Sequence, residues 1–169
     1  MKSGIALIGF MASGKTSVGK LLATRLGLEF IETDSLIAQR AGKPIPEIFR
    51  QDGEIAFRDL EIGVIKEVAA RKNAVIAGGG GVVLNTINID RLRQENTIIY
   101  LTASPAAVLR RTAGDTSRPL LMTDDREEKI RELMRRRRPF YEYAADITVN
   151  TSRKNVTSVA DEIMRRLAA

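Results

Sequence analysis

The sequence predicts an α/β fold built on a parallel sheet, and three observations carry that prediction. Short apolar runs alternate with stretches whose apolar residues recur at helical spacing. Several of those runs are apolar throughout, as strands buried on both faces are. The first run leads into a glycine-rich loop and then an amphipathic stretch. A length of 169 residues sets one compact domain as the expectation.

The elements follow in order. Ile5–Ile8 is the first strand, and Lys15–Leu26 a helix with Val18, Leu21, Leu22 and Leu26 on one face. Glu29–Ile31 is a second strand. Residues 33–53 hold Gly42, Pro44, Pro46 and Gly53 around a few apolar residues, which predicts an inserted short helical segment. Glu54–Arg71 is a helix facing inward through Phe57, Leu60, Val64, Ile65 and Val68. Ala74–Ala77 and Thr97–Leu101 are near-continuous apolar strands. Ser104 as N-cap and Pro105 in the first turn open a helix through Val108 and Leu109. Residues 112–125 are polar with a Gly and a Pro, an irregular loop of a length usually tied to function or disorder. Asp146–Val149 is the fifth strand. Asn155 caps a closing helix to Leu167 with Val156, Val159, Ile163 and Leu167 on one side. No internal repeat or low-complexity linker interrupts the series.

Composition narrows the chemistry. The chain has no Cys, no His and no Trp. That excludes a disulfide framework, a thiol nucleophile, a Ser-His-Asp triad and imidazole- or thiolate-held metal sites. Carboxylates, Lys, Arg, hydroxyls, backbone amides and a borrowed cation remain. The net charge is +6, and 19 of the 27 basic residues are Arg. Guanidinium groups match carboxylates and phosphates, so anionic partners are expected, nucleic acid or small molecules. The N-terminal apolar run is too short to span a bilayer and lacks a cleavage pattern, so a cytoplasmic protein without a membrane partner is expected.

Gly9-Phe10-Met11-Ala12-Ser13-Gly14-Lys15-Thr16 matches G-x-x-x-x-G-K-[ST], with a strand before it and a helix after it. Such a loop points successive N–H groups at phosphate oxygens beside a helix N-terminus. Lys15 reaches the β- and γ-phosphates, and the Thr16 hydroxyl ligates Mg²⁺. Nucleoside-triphosphate binding is assigned to Gly9, Ala12, Ser13, Gly14, Lys15, Thr16 and Ser17. A signalling GTPase is excluded, because no Asp is followed three residues later by Gly and N-K-x-D is absent. A motor or helicase core needs far more chain. A small-molecule kinase remains.

Such a kinase needs acids beside the loop. The second strand ends in Glu32-Thr33-Asp34, and alternation along an extended segment puts Glu32 and Asp34 on one side. One carboxylate suits Mg²⁺ and the other an acceptor hydroxyl.

With these residues in view, the chain resembles the shikimate kinases from end to end. The resemblance rests on Gly9–Thr16, Glu32-Thr33-Asp34, Phe49, Gly53 through Glu61 with its Phe-Arg-x-x-Glu, Gly79-Gly80-Gly81, Arg118-Pro119-Leu120-Leu121, Arg137-Arg138-Pro139-Phe140-Tyr141 and Thr151-Ser152-Arg153. It implies a three-layer P-loop kinase fold: a five-stranded parallel sheet flanked by helices, with a substrate-binding insertion at about 33–61 and a mobile lid at about 112–125. The implied reaction is transfer of the ATP γ-phosphate to the 3-hydroxyl of shikimate, in chorismate and aromatic amino-acid biosynthesis, by a monomer using Mg²⁺. By position, Lys15, Asp34 and Arg118 are the catalytic residues. Asp34, Arg58, Gly80, Gly81 and Arg137 bind shikimate; Arg111, Arg118 and Arg153 join the ATP site; Thr16 and Glu32 serve the metal. The family usually has Asp-x-Asp where this chain has Glu32-Thr33-Asp34. Ala12 replaces a common Gly and fits with a negative φ.

Residue chemistry agrees, since paired guanidiniums recognise a small carboxylate and consecutive glycines let backbone N–H groups approach a ligand. The run Arg135–Arg138 admits a nucleic-acid surface, but neighbours on a helix point in different directions, about 100° apart. Motif spacing singles out Arg137 for a pocket, so no nucleic-acid partner is expected. Two alternatives stay open: a kinase of the same architecture acting on another hydroxy acid such as gluconate, and a P-loop protein that only binds.

Overall fold

The computed structural model describes residues 1–115 and 124–169. Arg118 and most of the expected lid therefore lie outside the described residues. Five strands form one parallel sheet in the order β2-β3-β1-β4-β5. They are β1 (Gly4–Ile8), β2 (Glu29–Glu32), β3 (Ala74–Ala77), β4 (Asn96–Thr102) and β5 (Ile147–Asn150). β1 lies at the centre, with Ala6 opposite Ile76 of β3 and Ile98 of β4.

Alternation along β1 builds two cores. Ile5 and Leu7 pack with Val75, Ile99 and Leu101 under α1 (Lys15–Leu26) and α8 (Val156–Ala168). Ala6 and Ile8 point the other way, toward α2 (Thr33–Ala41), α3 (Ile45–Gln51), α4 (Glu54–Val68), α5 (Thr86–Glu95), α6 (Pro105–Arg111) and α7 (Arg126–Ala144). Because both faces are covered, β1 and β3 carry no polar side chain and β4 is apolar from Ile98 through Leu101 save for the Tyr100 hydroxyl. Edge strand β2 is half-exposed and tied at its start by a Glu29–Arg71 ion pair of 2.7 Å.

Local signals set the helix ends. The Ser104 hydroxyl accepts from the Ala107 N–H at 3.1 Å, and the Asn155 side chain accepts from the Ser158 N–H at 2.8 Å. The inserted segment is two helices, α2 and α3, which pack with α4 and form one wall of a cavity. α4 stops at Val68 rather than Arg71. Leu26 does not join the buried face of α1; it is 39% exposed in the last turn. β5 begins at Ile147; just before it, Asp146 joins β4 twice, its N–H donating to the Ile98 carbonyl and its carboxylate accepting from the Ile98 N–H, each at 2.8 Å. α5 is not predicted by the pattern. It buries only Asn88, Ile89 and Leu92 of ten residues, too few apolar positions to mark a face.

Candidate active site

The phosphate loop runs from the end of β1 into α1. At Gly9, a Cβ would lie 2.5 Å from the Leu101 carbonyl and 2.7 Å from the Ser13 hydroxyl, so a side chain has no room. Gly14 caps α1 with φ 98°, in the left-handed region. The Lys15 ammonium donates to the Gly9 and Phe10 carbonyls at 2.7 and 2.9 Å. The Thr16 hydroxyl donates to a Glu32 carboxylate oxygen at 2.5 Å, and the Ser35 hydroxyl holds the other at 2.7 Å. Ala12 departs from expectation: its φ is +59°, left-handed rather than negative. Arg111 donates to its carbonyl at 3.0 Å and to the Thr151 carbonyl at 2.9 Å, joining the phosphate loop to the turn after β5.

Two cavities open along the sheet's C-terminal edge. One, of about 300 Å³, is lined by Ala12, Gly14, Lys15, Thr16, Ser17 and Arg111. The other, of about 360 Å³, has an apolar wall of Pro44, Ile45, Phe49 and Phe57 from the insertion. Facing that wall are Asp34, Arg58, Glu61 and Arg137. Met11, Glu32, Asp34, Gly79 and Gly80 line both cavities, so the two meet there.

Asp34 reaches this boundary differently from expectation. The strand ends at Glu32, and Thr33 begins α2, so Asp34 sits in a first helical turn rather than on an extended segment. Thr33 fixes the bend. Fully buried, its hydroxyl donates to the Ala77 carbonyl at 3.3 Å and accepts from the Gly79 N–H at 3.1 Å.

The charged set is tightly packed. Arg58 bridges Glu61 at 3.1 Å and Glu54 at 3.2 Å, with its guanidinium 5.1 Å from the Phe57 ring centre. The Glu61 side chain is 0% exposed. Burial pushes its carboxyl up to about 7, Asp34 adds to the rise, and the Arg58 and Arg137 guanidiniums oppose it. Glycines make the crowding possible: a Cβ at Gly79 would lie 2.6 Å from Asp34 and 3.1 Å from Glu61. At Gly81 it would strike the Arg58 guanidinium. Arg137 alone of the four-Arg run is buried. It shares the inward stripe of α7 with Ile130, Leu133, Tyr141 and Ala144. Arg136 and Arg138 instead pair on the surface with Glu132 and Glu142, each at 2.7 Å.

The shikimate kinase family model matches residues 11–168. The chain belongs to the shikimate kinase family. A shikimate kinase of Caldanaerobacter subterraneus subsp. tengcongensis is 47% identical over 161 residues, covering 95% of this chain and 94% of the relative. The structure of a shikimate kinase from Acinetobacter baumannii in complex with shikimate superposes with a TM-score of 0.96. It is 36% identical and covers 99% of this chain and 94% of its own. A gluconokinase from Sinorhizobium meliloti has a TM-score of 0.57 at 18% identity, covering 98% and 92% of the two chains, a likeness of fold alone.

As a member of this kinase family, the chain is an ATP-dependent phosphotransferase with the P-loop fold. Most of the residues singled out from sequence converge on the paired cavities. Arg153, Gly9 and Ser13 line neither cavity: Arg153 is exposed in the turn after β5, while Gly9 and Ser13 are buried within the phosphate loop. Thr33, Glu61, Tyr141 and Thr151 stand in the sequence motifs without an expected role, and Ser35 stands in none. Glu61 did carry a signal, since it falls on the same helical face as Phe57, Val64, Ile65 and Val68.

Proposed function

We propose that the smaller cavity holds the triphosphate of ATP and the larger holds shikimate, whose 3-hydroxyl receives the γ-phosphate. The observation that carries this arrangement is the shared boundary at Glu32, Asp34, Gly79 and Gly80, where an acceptor hydroxyl meets a terminal phosphate. Arg58 and Arg137 clamp the acceptor carboxylate, and Gly80 and Gly81 offer backbone donors. Asp34 orients the attacking hydroxyl and accepts its proton. The oxygen–phosphorus bond forms as the bond to the β-phosphate oxygen breaks, leaving ADP. Lys15 and the loop N–H groups stabilise charge on the phosphates.

Thr16 and Glu32 present hard oxygens 2.5 Å apart at the edge of the phosphate cavity. They suit Mg²⁺, which takes one or two protein oxygens beside phosphate and water. Thr16 and Glu32 would hold the ion together with phosphate and water oxygens. When bound, it supplies charge neutralisation on the β- and γ-phosphate oxygens. Arg118 joins the transferring phosphate and Arg153 the adenine side, both by resemblance. We further read the chain as one domain, a cytoplasmic monomer. No helix among the described residues is long and apolar enough to cross a membrane.

ADP release with ATP and a panel of acceptors tests the reading. Shikimate is expected to stimulate release strongly and gluconate not at all. Preference for gluconate, or no acceptor stimulation, overturns it.

A further inference from the structure

The motif Arg-x-Pro-x-Tyr ends in a residue that the proposed chemistry leaves unused. Tyr141 is 1% exposed and lies one helical turn beyond Arg137 on the inward stripe of α7. Its hydroxyl donates to the Gly80 carbonyl. The Arg137 guanidinium packs at the same place, its Nη1 3.4 Å from where a Cβ on Gly80 would stand, so the hydroxyl, the glycine loop and the clamp meet there. Tyr100 packs against the ring with centroids 4.9 Å apart, which fixes where the hydroxyl lies. On its other side Arg137 sits 5.8 Å from the centre of the Phe10 ring.

The glycine loop is anchored along its length. Thr33 accepts from the Gly79 N–H at 3.1 Å, and the Asn88 side chain donates to the Val82 carbonyl at 3.0 Å. Between these two anchors the loop must present its N–H groups to the acceptor, and the bond to Gly80 lies there. We propose that Tyr141 is a positioning residue for the acceptor, holding the Gly80 peptide and the Arg137 guanidinium in one fixed arrangement. Both groups then meet the acceptor without reorganising, which strengthens binding without contact between Tyr141 and the substrate.

This inference rests on the proposed acceptor site, and Tyr141→Phe tests it. The ring and its stacking on Tyr100 are kept and only the hydroxyl is lost. The expected result is a rise of about five- to tenfold in acceptor KM, the size of one lost hydrogen bond. ATP KM should stay within twofold, and Tyr100→Phe should leave acceptor KM unchanged. Thermal melts of each variant report folding separately. Unchanged acceptor KM in folded Tyr141→Phe overturns the proposal. So does a parallel rise in both KM values, which marks a general structural role. The acceptor used is whichever the wild-type enzyme phosphorylates; wild type inactive with shikimate therefore counts against the functional reading and leaves this comparison intact.

Discussion

Glu61 lies one turn beyond Arg58 on α4, and its fully buried carboxylate bonds the guanidinium at 3.1 Å. A buried acid thus holds in place a cation that lines the larger cavity. The second Glu61 oxygen is buried without a hydrogen-bond partner among the described residues. Such a group is costly when ionised, and the elevation to about 7 from an ordinary 4.5 expresses that cost.

That elevation has a sign. Between about pH 4.5 and 7 the folded chain keeps a proton that the unfolded chain has released. Glu61 therefore contributes stability at low pH that is lost as pH rises through 7. Relative to wild type, Glu61→Gln should gain stability across this window by at most roughly 1.4 kcal/mol per pH unit. Above the window the difference should be level. Urea unfolding of both proteins at pH 5, 6, 7 and 8 measures it, and a difference independent of pH refutes it.

Removing the guanidinium itself should act on the acceptor. Arg58→Ala is expected to raise shikimate KM by at least tenfold, since a charge-assisted hydrogen bond is worth ~1.5–3 kcal/mol. Gly81→Ala should raise it too, because the added methyl meets the Arg58 guanidinium. Steady-state kinetics with ATP saturating distinguishes these from loss of nucleotide binding; wild-type KM in either variant contradicts the clamp.

The left-handed Ala12 predicts a stabilising substitution. A non-glycine residue there costs about 1–2 kcal/mol, partly offset by the greater unfolded-state freedom of glycine. Ala12→Gly should raise stability by roughly 0.5–1 kcal/mol, equivalent to about 1–4 °C in Tm. Calorimetry or urea titration reads the change, and a lowered Tm would show that the surrounding loop prefers the methyl group.

Arg118 is tested through rate. Arg118→Ala should lower kcat far more than it weakens ATP binding, because a cation aimed at the transferring phosphate acts mainly on the transition state. Unchanged kcat removes it from the mechanism.

The sequence alone determined the layered α/β architecture, all five strands, and the phosphate loop at its place between β1 and α1. It could do so because a sheet covered on both faces demands unbroken apolar runs, and because phosphate binding needs backbone geometry that few residue patterns permit. Family likeness extended this to Asp34, Arg58, Arg137 and the glycine triplet.

Tertiary structure decided the rest. Asp34 reaches the boundary of the two cavities through a helical turn fixed by Thr33 to the ends of β3 and its loop, contacts 44 and 46 residues away. Ala12 takes a positive φ, and its carbonyl is held by Arg111, 99 residues distant. Arg137 differs from its three neighbours because its stripe on α7 faces the glycine loop. In each case the deciding partner is remote in sequence, so local pattern names the residue while packing assigns its direction.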